Sequence, residues 1–118
     1  MNALCRHTLL EYHGCDPEQL KRPHEVRAWM RAAVRAGGGT IVKAVFHAFN
    51  PYGVSGVLVI TESHVTIHTW PEHGYAAVDI FSCNPKLDHG LIRRRIKEML
   101  GAKRVTARSF RRGVAPGL

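Results

Sequence analysis

A chain of 118 residues, 45% of them hydrophobic, has the size of one small globular domain and is too apolar for a disordered tail. It contains no run of about 18 apolar residues and no signal-peptide pattern at its start, so we expect a cytoplasmic protein without a membrane span. The net charge of +8 is concentrated between residues 93 and 112. No nucleic-acid-binding motif accompanies it, so we interpret it as a solvated helix face and basic tail and do not expect nucleic acid as a partner.

The spacing of apolar residues predicts eight elements in the order β-α-β-β-β-β-α-β. Helical periodicity marks two segments, one capped by Asp16 and ended by Gly37, the other beginning near Asp88 and ending at Gly101. Runs rich in β-branched and aromatic residues predict strands over 3–14, 40–49, 54–61, 64–70, 75–83 and 104–110. We therefore expect an α+β fold, a two-layer sandwich in which a mostly antiparallel sheet is covered by two helices, as a single domain over 1–118.

The three cysteines, Cys5, Cys15 and Cys83, form no Cys-x-x-Cys pair and are odd in number. We interpret all three as free thiols and predict no metal site. His64 and His68 are four residues apart, but on a strand this spacing separates them by about 13 Å, which is too far for a shared ion.

The hairpin between the two central strands has an unusual turn. Only Glu62 and Ser63 separate the predicted strands, and neither is a residue that a tight two-residue turn prefers. Strain at such a turn indicates function. If the hairpin centre lies between residues 62 and 63, Ser55 pairs with Trp70, and Ser55, His68 and Trp70 share one face beside the turn.

A family resemblance becomes specific in residues 53–84, GVSGVLVITESHVTIHTWPEHGYAAVDIFSCN, and in the preceding FHAFNPYGVSG. This stretch resembles the prokaryotic S-adenosylmethionine decarboxylase proenzymes, a pyruvoyl-dependent family, in its ESH, IHTWPE and DxFxC motifs. The resemblance extends from Leu4 to about Arg112. It implies a dimer or higher homo-oligomer and a decarboxylase of polyamine biosynthesis.

The resemblance also implies that the chain cuts itself. The Ser63 hydroxyl would attack the carbonyl of Glu62, and elimination and hydrolysis would leave a pyruvoyl group at the former Ser63. The products would be a β chain, residues 1–62, and an α chain, residues 63–118. The pyruvoyl group is the only cofactor implied, and it would form a Schiff base with the substrate amine and act as the electron sink for decarboxylation.

Further residues receive roles from the same resemblance. Ser55 and His68 match the processing residues, and Cys83 matches the acid that protonates the substrate carbon after decarboxylation. Phe49 matches the aromatic that stacks on adenine, and Glu72 matches the carboxylate that binds the ribose hydroxyls.

Trp70 is added to the substrate-binding residues from its place on the inferred strand face. Two residues depart from the family pattern. Asn84 follows Cys83 where glycine is usual, and Cys5 stands where glycine is common.

Two alternatives stay open. The same pyruvoyl core could decarboxylate arginine or ornithine, although a free amino acid needs no adenine platform of the kind that Phe49, Trp70 and Glu72 would provide. The other alternative is an uncleaved, non-enzymatic binding protein that uses the basic surface. Intact Glu62, Ser63, His68 and Cys83 argue against it.

Overall fold

The computed structural model describes residues 3–114, which form one six-stranded sheet with the helices packed on one of its faces. Every neighbouring pair of strands is antiparallel, and the strand order is β2-β3-β4-β5-β1-β6. The predicted α+β sandwich is therefore confirmed. The elements are β1 (Cys5–His13), α1 (Pro17–Leu20), α2 (Pro23–Ala36), β2 (Ile41–Ala48), β3 (Val54–Ile60), β4 (Ser63–Trp70), a 3-10 turn (Pro71–His73), β5 (Tyr75–Ser82), α3 (His89–Leu100) and β6 (Arg104–Arg112).

The first predicted helix is two helices in the structure. Asp16 caps α1 as expected, accepting a hydrogen bond from the backbone N–H of Glu18 at 3.0 Å. Pro23 then occupies the first position of α2, where its missing N–H costs nothing and its fixed φ suits a helix start. Because a proline also disfavours helical backbone at the residue before it, α1 stops after one turn.

The two longer helices bury one stripe each against the sheet. In α2 the buried side chains recur at helical spacing, and in α3 they do so from the Asp88 cap to the left-handed Gly101. They meet the inner face of the sheet, which alternates with an outer face along every central strand. The inner core includes Val26, Met30, Ala33, Val34, Ile92, Ile96 and Leu100 from the helices and Leu10, Tyr12, Leu58, Ile67, Val78 and Ile80 from the sheet.

The outer face of the sheet carries no helix within the described residues. We call it the open face; it alternates with the inner face, so it includes Ser55, Val57 and Val59 of β3 and the even-numbered residues of β4. Val57 and Val59 are exposed there, at 39% and 42%. A half-apolar sheet face without a covering layer is a surface on which another chain can pack.

The central hairpin has a different register from the predicted one. Ser55 pairs with His68, and Ile60 pairs with Ser63, so Thr61 and Glu62 form the two-residue loop. The predicted pairing of Ser55 with Trp70 is therefore wrong by two residues. A shift of two preserves the faces, so Ser55, His68 and Trp70 still share the open face, as expected.

Strand β1, near the N-terminus, lies between β5 and β6 from the C-terminal half of the chain. It pairs with both along most of its length. A strand from the N-terminal half of the chain therefore lies between two strands from the C-terminal half. No helix in residues 3–114 is long and apolar enough to cross a membrane.

Candidate active site

All the predicted site residues except Glu72 fall into two groups at different places on the sheet, and each group includes one residue that was not predicted, Ser82 or His47. The turn cluster comprises Glu62, Ser63, Ser82 and Cys83, where the β3–β4 loop meets the end of β5. The face cluster comprises the residues at the opposite end of β3 and β4, on the open face: His47, Phe49, Ser55, His68 and Trp70.

The peptide bond between Glu62 and Ser63 lies in a strained and polarised setting. Glu62 has a φ of +61°, the only positive φ at a non-glycine residue among those described. Such left-handed backbone costs a residue with a side chain about 1–3 kcal/mol. The carbonyl oxygen of Glu62 accepts a hydrogen bond from the backbone N–H of Cys83 at 3.2 Å. That donor draws electron density from the carbonyl carbon, which makes the carbon more open to attack.

The Ser63 hydroxyl belongs to a short hydrogen-bond chain. It donates to the hydroxyl of Ser82 at 2.9 Å, its direct partner in the β4–β5 ladder. Ser82 in turn donates to the carbonyl oxygen of Asn84 at 3.2 Å and accepts from the Asn84 backbone N–H at 3.0 Å. Because Ser82 is buried and held on both sides by Asn84, it fixes the direction of the Ser63 hydroxyl.

Two of the three cysteines are not free thiols, contrary to expectation. Cys5 and Cys83 are joined in a disulfide, and their Cα atoms are 4.1 Å apart. The last pair of the β1–β5 ladder is Arg6 with Ser82. Cys5 comes just before Arg6 and Cys83 just after Ser82, so the two cysteines face each other across the neighbouring strands. Only Cys15 is free among the described residues, and burial raises the pKa of its thiol to about 11.

A cavity of about 650 Å³ opens beside the turn cluster. Its walls come from the ends of β1 and β5, the connection to α3, and Arg111 of β6. His89, at the start of α3, is one of the lining residues and is buried, with Nδ1 2.8 Å from the hydroxyl of Thr8. Burial, with Arg6 nearby and Asp88 opposing, lowers the pKa of His89 to about 4, so its ring is neutral near pH 7.

The face cluster is a chain of aromatic contacts. The rings of His47 and Phe49 are 4.7 Å apart between centroids, those of Phe49 and His68 are 5.6 Å apart, and those of His68 and Trp70 are 4.0 Å apart. Ser55 lies between His47 and His68, paired with one across each ladder. The structure therefore brings together Ser55, His68 and Trp70, whose shared face the sequence predicted, and places Phe49, which follows β2, beside them.

Tyr75 extends the aromatic chain at the start of β5. Its ring lies 5.1 Å from that of Trp70, and its hydroxyl donates to the carboxylate of Glu11. Burial and this bond to Glu11 raise the pKa of Tyr75 to about 12, so the phenol stays protonated. The Tyr75–Glu11 hydrogen bond thus fixes the position of the Tyr75 ring against which Trp70 packs.

Glu72 lies in the 3-10 turn that follows β4 and is exposed. Its carboxylate makes no hydrogen bond or ion pair with residues 3–114. It is therefore close to Trp70 along the chain and accessible from solvent, but it is not held in a fixed geometry.

The structure does not bring the two clusters together within one chain. Ser63 and His68 are five residues apart on β4, which corresponds to about 17 Å along a strand. Their side chains also point to opposite faces of the sheet, because Ser63 contacts inward-facing Ser82 and His68 lies on the open face. His68 cannot reach Ser63 of its own chain.

Sequence reasoning missed Ser82, the backbone N–H of Cys83, Tyr75 and His89. Once the β4–β5 pairing is known, Ser82 follows from its place opposite Ser63, but the sequence does not reveal that pairing. No group of three or more His, Cys, Asp or Glu side chains suited to a metal ion exists within the described part of the chain.

Comparison with known proteins identifies the family of the chain. The family model described as S-adenosylmethionine decarboxylase matches residues 6–113. This chain belongs to the S-adenosylmethionine decarboxylase family. The predicted family is thus confirmed, and with it the assignment to a family of carboxy-lyases.

Members of the S-adenosylmethionine decarboxylase family from several bacteria match nearly the whole chain. The "S-adenosylmethionine decarboxylase proenzyme" of Thermotoga petrophila is 47% identical over 113 residues, covering 96% of this chain and 87% of that protein. The proenzyme of Caldicellulosiruptor saccharolyticus is 45% identical, covering 97% and 92%. The crystal structure of the adenosylmethionine decarboxylase from Aquifex aeolicus superposes with a TM-score of 0.89 at 29% identity, covering 100% of this chain and 98% of that one.

Proposed function

We propose that this chain cuts itself between Glu62 and Ser63 and then decarboxylates S-adenosylmethionine. The observation that carries the proposal is the turn cluster, in which one peptide bond has a left-handed Glu62, a carbonyl bonded to the Cys83 N–H and a hydroxyl oriented by Ser82. A structural hairpin needs none of these features. The names of the family's members provide the substrate.

Cleavage proceeds through the side chain of Ser63. Its oxygen attacks the carbonyl carbon of Glu62, and the Cys83 N–H stabilises the negative charge that develops on the carbonyl oxygen. The amide becomes an ester, and the nitrogen of Ser63 is freed as an amine. Removal of the Ser63 Cα proton expels Glu62 as a carboxylate, and water then replaces the nitrogen, which leaves as ammonia.

The residues present fit the pyruvoyl group that this sequence of steps would leave. Ser63 supplies all its carbon atoms, and the residues next to it, Ser82 and Cys83, line the cavity of about 650 Å³ in which the reacting part of a substrate would be accommodated. Once formed, the group supplies a carbonyl that accepts the electrons released when the carboxylate leaves as carbon dioxide.

Cys83 would deliver the proton to the substrate carbon after carbon dioxide leaves. Its reduced side chain would lie beside Ser63, since its own backbone N–H already reaches the Glu62 carbonyl. Because the N–H belongs to the backbone, replacing the side chain should leave cleavage intact and impair turnover alone. This separation distinguishes the two roles of the residue.

The face cluster would bind the nucleoside. Phe49 is 43% exposed and stands at the end of the aromatic chain, so its ring can stack on adenine. Trp70 continues the aromatic chain, and the exposed Glu72, two residues further along, would bind the ribose hydroxyls.

The distance between the clusters is the argument for a homodimer. If two copies pack open face to open face about a two-fold axis, with their strands running in opposite directions, the Glu62–Ser63 loop of one chain lies level with the face cluster of the other. The Ser63 side chain points to the helix side of its own sheet, so it would have to reach the partner's face cluster around the end of its strand. The exposed Val45, Val57 and Val59 would then be buried between the sheets. Each site would combine Ser63 and Cys83 of one chain with Ser55 and His68 of its partner.

Intact mass under denaturing, reducing conditions tests the cleavage. We expect two species, one ending at Glu62 and one beginning with a pyruvoyl group in place of Ser63. The Ser63→Ala variant is the matched control and should remain one full-length, inactive chain. Two fragments from that variant, or a single full-length species from the unchanged protein, would contradict the proposal.

Release of labelled carbon dioxide tests the substrate. The processed protein should act on S-adenosylmethionine, and arginine and ornithine serve as comparison substrates. Turnover of either amino acid at a rate above that of S-adenosylmethionine would overturn the substrate assignment while leaving the cleavage intact.

A further inference from the structure

The Cys5–Cys83 disulfide includes the sulfur of Cys83, the residue to which the proton-donor role is assigned. A sulfur bonded to another sulfur carries no proton and cannot act as an acid. The structure therefore holds the turn cluster in a form that could undergo cleavage, because that uses the Cys83 backbone, but could not protonate a substrate carbon. We propose that Cys5 and Cys83 form a reversible disulfide that switches the decarboxylase off, an inference that rests on the proposed role of Cys83.

The location of the pair favours a reversible bond over a buried structural one. Both cysteines are half-buried, and both line the cavity of about 650 Å³ beside the turn cluster. A small thiol or disulfide can therefore reach the sulfurs through the same space as a substrate. Disulfides that are accessible in this way are the ones that exchange readily with small thiols.

The surrounding charge favours reactive thiolates when the pair is reduced. Arg6 and Arg111 line the same cavity, and Arg112 is the partner of Cys5 in the β1–β6 ladder. Positive charge near a thiol stabilises its thiolate, which is the form that attacks a disulfide. Cys15 provides the internal contrast, because it is buried and the pKa of its thiol is raised to about 11, so it stays protonated and unreactive.

The reaction needs a low-molecular-weight disulfide as oxidant. One cysteine thiolate attacks a sulfur of that disulfide, which forms a mixed disulfide and expels one small thiol. The second cysteine thiolate attacks the mixed disulfide, which closes the Cys5–Cys83 bond and expels the other small thiol. The protein loses two protons and two electrons, and the oxidant gains them. A dithiol reductant reverses both steps.

The proposed cleavage gives the switch a direct readout. Cys5 belongs to residues 1–62 and Cys83 to residues 63–118, so the disulfide joins the two fragments covalently. A denaturing gel without reductant should show one band near the full-length 13.2 kDa when the pair is oxidised, and two bands when it is reduced.

The test uses the processed protein equilibrated in mixtures of reduced and oxidised glutathione, with Cys5→Ala and Cys15→Ala as matched variants. The unchanged protein and Cys15→Ala should become cross-linked as the mixture becomes oxidising. They should lose decarboxylase activity in proportion, at least tenfold at full cross-linking, and regain it with dithiothreitol. Cys5→Ala should show two bands throughout and keep more of its activity in each mixture, because its Cys83 can form only the mixed disulfide with glutathione.

Other outcomes overturn the switch. No cross-link in any mixture means that the bond does not form, and activity that survives full cross-linking removes Cys83 from proton transfer. Loss of activity in oxidised Cys5→Ala, without glutathione attached to Cys83 by intact mass, places the sensitive group elsewhere. A reduced protein that is unfolded and inactive makes the bond structural. If the chain is not cleaved at all, the proposed function fails instead, and intact mass still shows whether the two thiol hydrogens are lost.

Discussion

The hydroxyl of Ser82 fixes the orientation of the Ser63 side chain, although it would form no bond in the reaction. It accepts from Ser63 at 2.9 Å and is itself held by the backbone of Asn84. Ser82 therefore acts as a positioning residue for cleavage.

We expect Ser82→Ala to slow self-cleavage about tenfold or more, because the Ser63 hydroxyl would lose its acceptor and rotate freely. Ser82→Thr retains a hydroxyl and should process at close to the original rate. The measurement is the fraction of cleaved chain against time after refolding, followed by mass. Equal rates for Ser82→Ala and Ser82→Thr would remove Ser82 from the cleavage step.

His89 links the cavity wall to the stability of the fold. Because its folded pKa is about 4 and its usual value is 6.5, the unfolded chain binds a proton between these pH values that the folded chain does not. Protonation of His89 therefore does not affect the free energy of unfolding above pH 6.5. As the pH falls from 6.5 towards 4, the free energy of unfolding decreases by about 1.4 kcal/mol per pH unit.

The corresponding variant is His89→Asn, which can still bond to Thr8 but does not titrate. Its free energy of unfolding should depend less steeply on pH than that of the unchanged chain between pH 4 and 6.5. Urea unfolding at several pH values in the uncleavable Ser63→Ala background checks this. Identical slopes would show that His89 is protonated equally in both states.

At the scale of elements, β2 and β3 are joined by a contact that leaves no room for a side chain at Gly56. Phe46, its cross-strand partner, lies over the glycine, and a Cβ built there would overlap the aromatic ring. Glycine in a strand interior often marks such a close approach.

Gly56→Ala should therefore lower the free energy of unfolding by about 1–3 kcal/mol, again in the Ser63→Ala background. Adding Phe46→Ala removes the ring, so the alanine at position 56 should then cost much less. A double-mutant cycle by urea unfolding measures the coupling. Additive effects would show that ring and glycine do not constrain each other.

Much of the element structure could be predicted from the sequence because its signals are local. Asp16, Asp88 and Gly101 have the capping roles expected of them, and the β-branched runs mark each strand to within a few residues. The hairpin register failed because a turn at Thr61 and Glu62 and one at Glu62 and Ser63 look equally poor on preference alone. The two registers differ by two residues and present the same residues to each face, so strand alternation does not select between them either. In the structure the turn is at Thr61 and Glu62, and Glu62 adopts a positive φ.

The candidate site was predictable as a set of residues but not as an arrangement. Ser55, His68 and Trp70 were expected on one face and are found there, since strand alternation is a local rule. The disulfide was not predictable, because Cys5 and Cys83 are 78 residues apart and meet only through the β1–β5 pairing. The distance between Ser63 and His68 follows from strand rise once both lie on β4, but their opposite faces depend on β4 beginning at Ser63.

At the scale of the whole molecule, the proposed dimer predicts complementation between two inactive chains. In a pair of one Ser63→Ala chain and one His68→Ala chain, one site contains both Ser63 and His68 and the other contains neither. With equal co-expression and random pairing, about half of the His68→Ala chains should be cleaved. Intact mass should show fragments that carry His68→Ala and none from Ser63→Ala.

Each variant expressed alone is the control and should remain almost uncleaved. A second co-expression, with Val57→Asp in both chains, should abolish the cleavage, because two like charges at the open face would keep the sheets apart. Complementation that survives Val57→Asp would place the contact between chains elsewhere. A lack of complementation would mean that the histidine acts within its own chain or not at all.

The position of β1 between β5 and β6 changes the reaction order of folding once the chain is cut. The uncut chain refolds alone, at a rate that does not depend on concentration. After cleavage the N-terminal fragment holds β1, β2 and β3 and the C-terminal fragment holds β4, β5 and β6. Once unfolded, the two fragments must meet by diffusion before β1 can insert between β5 and β6. With the Cys5–Cys83 bond reduced, an unfolded processed molecule is thus lost at low concentration, whereas the precursor recovers, and each processed enzyme has one folded lifetime.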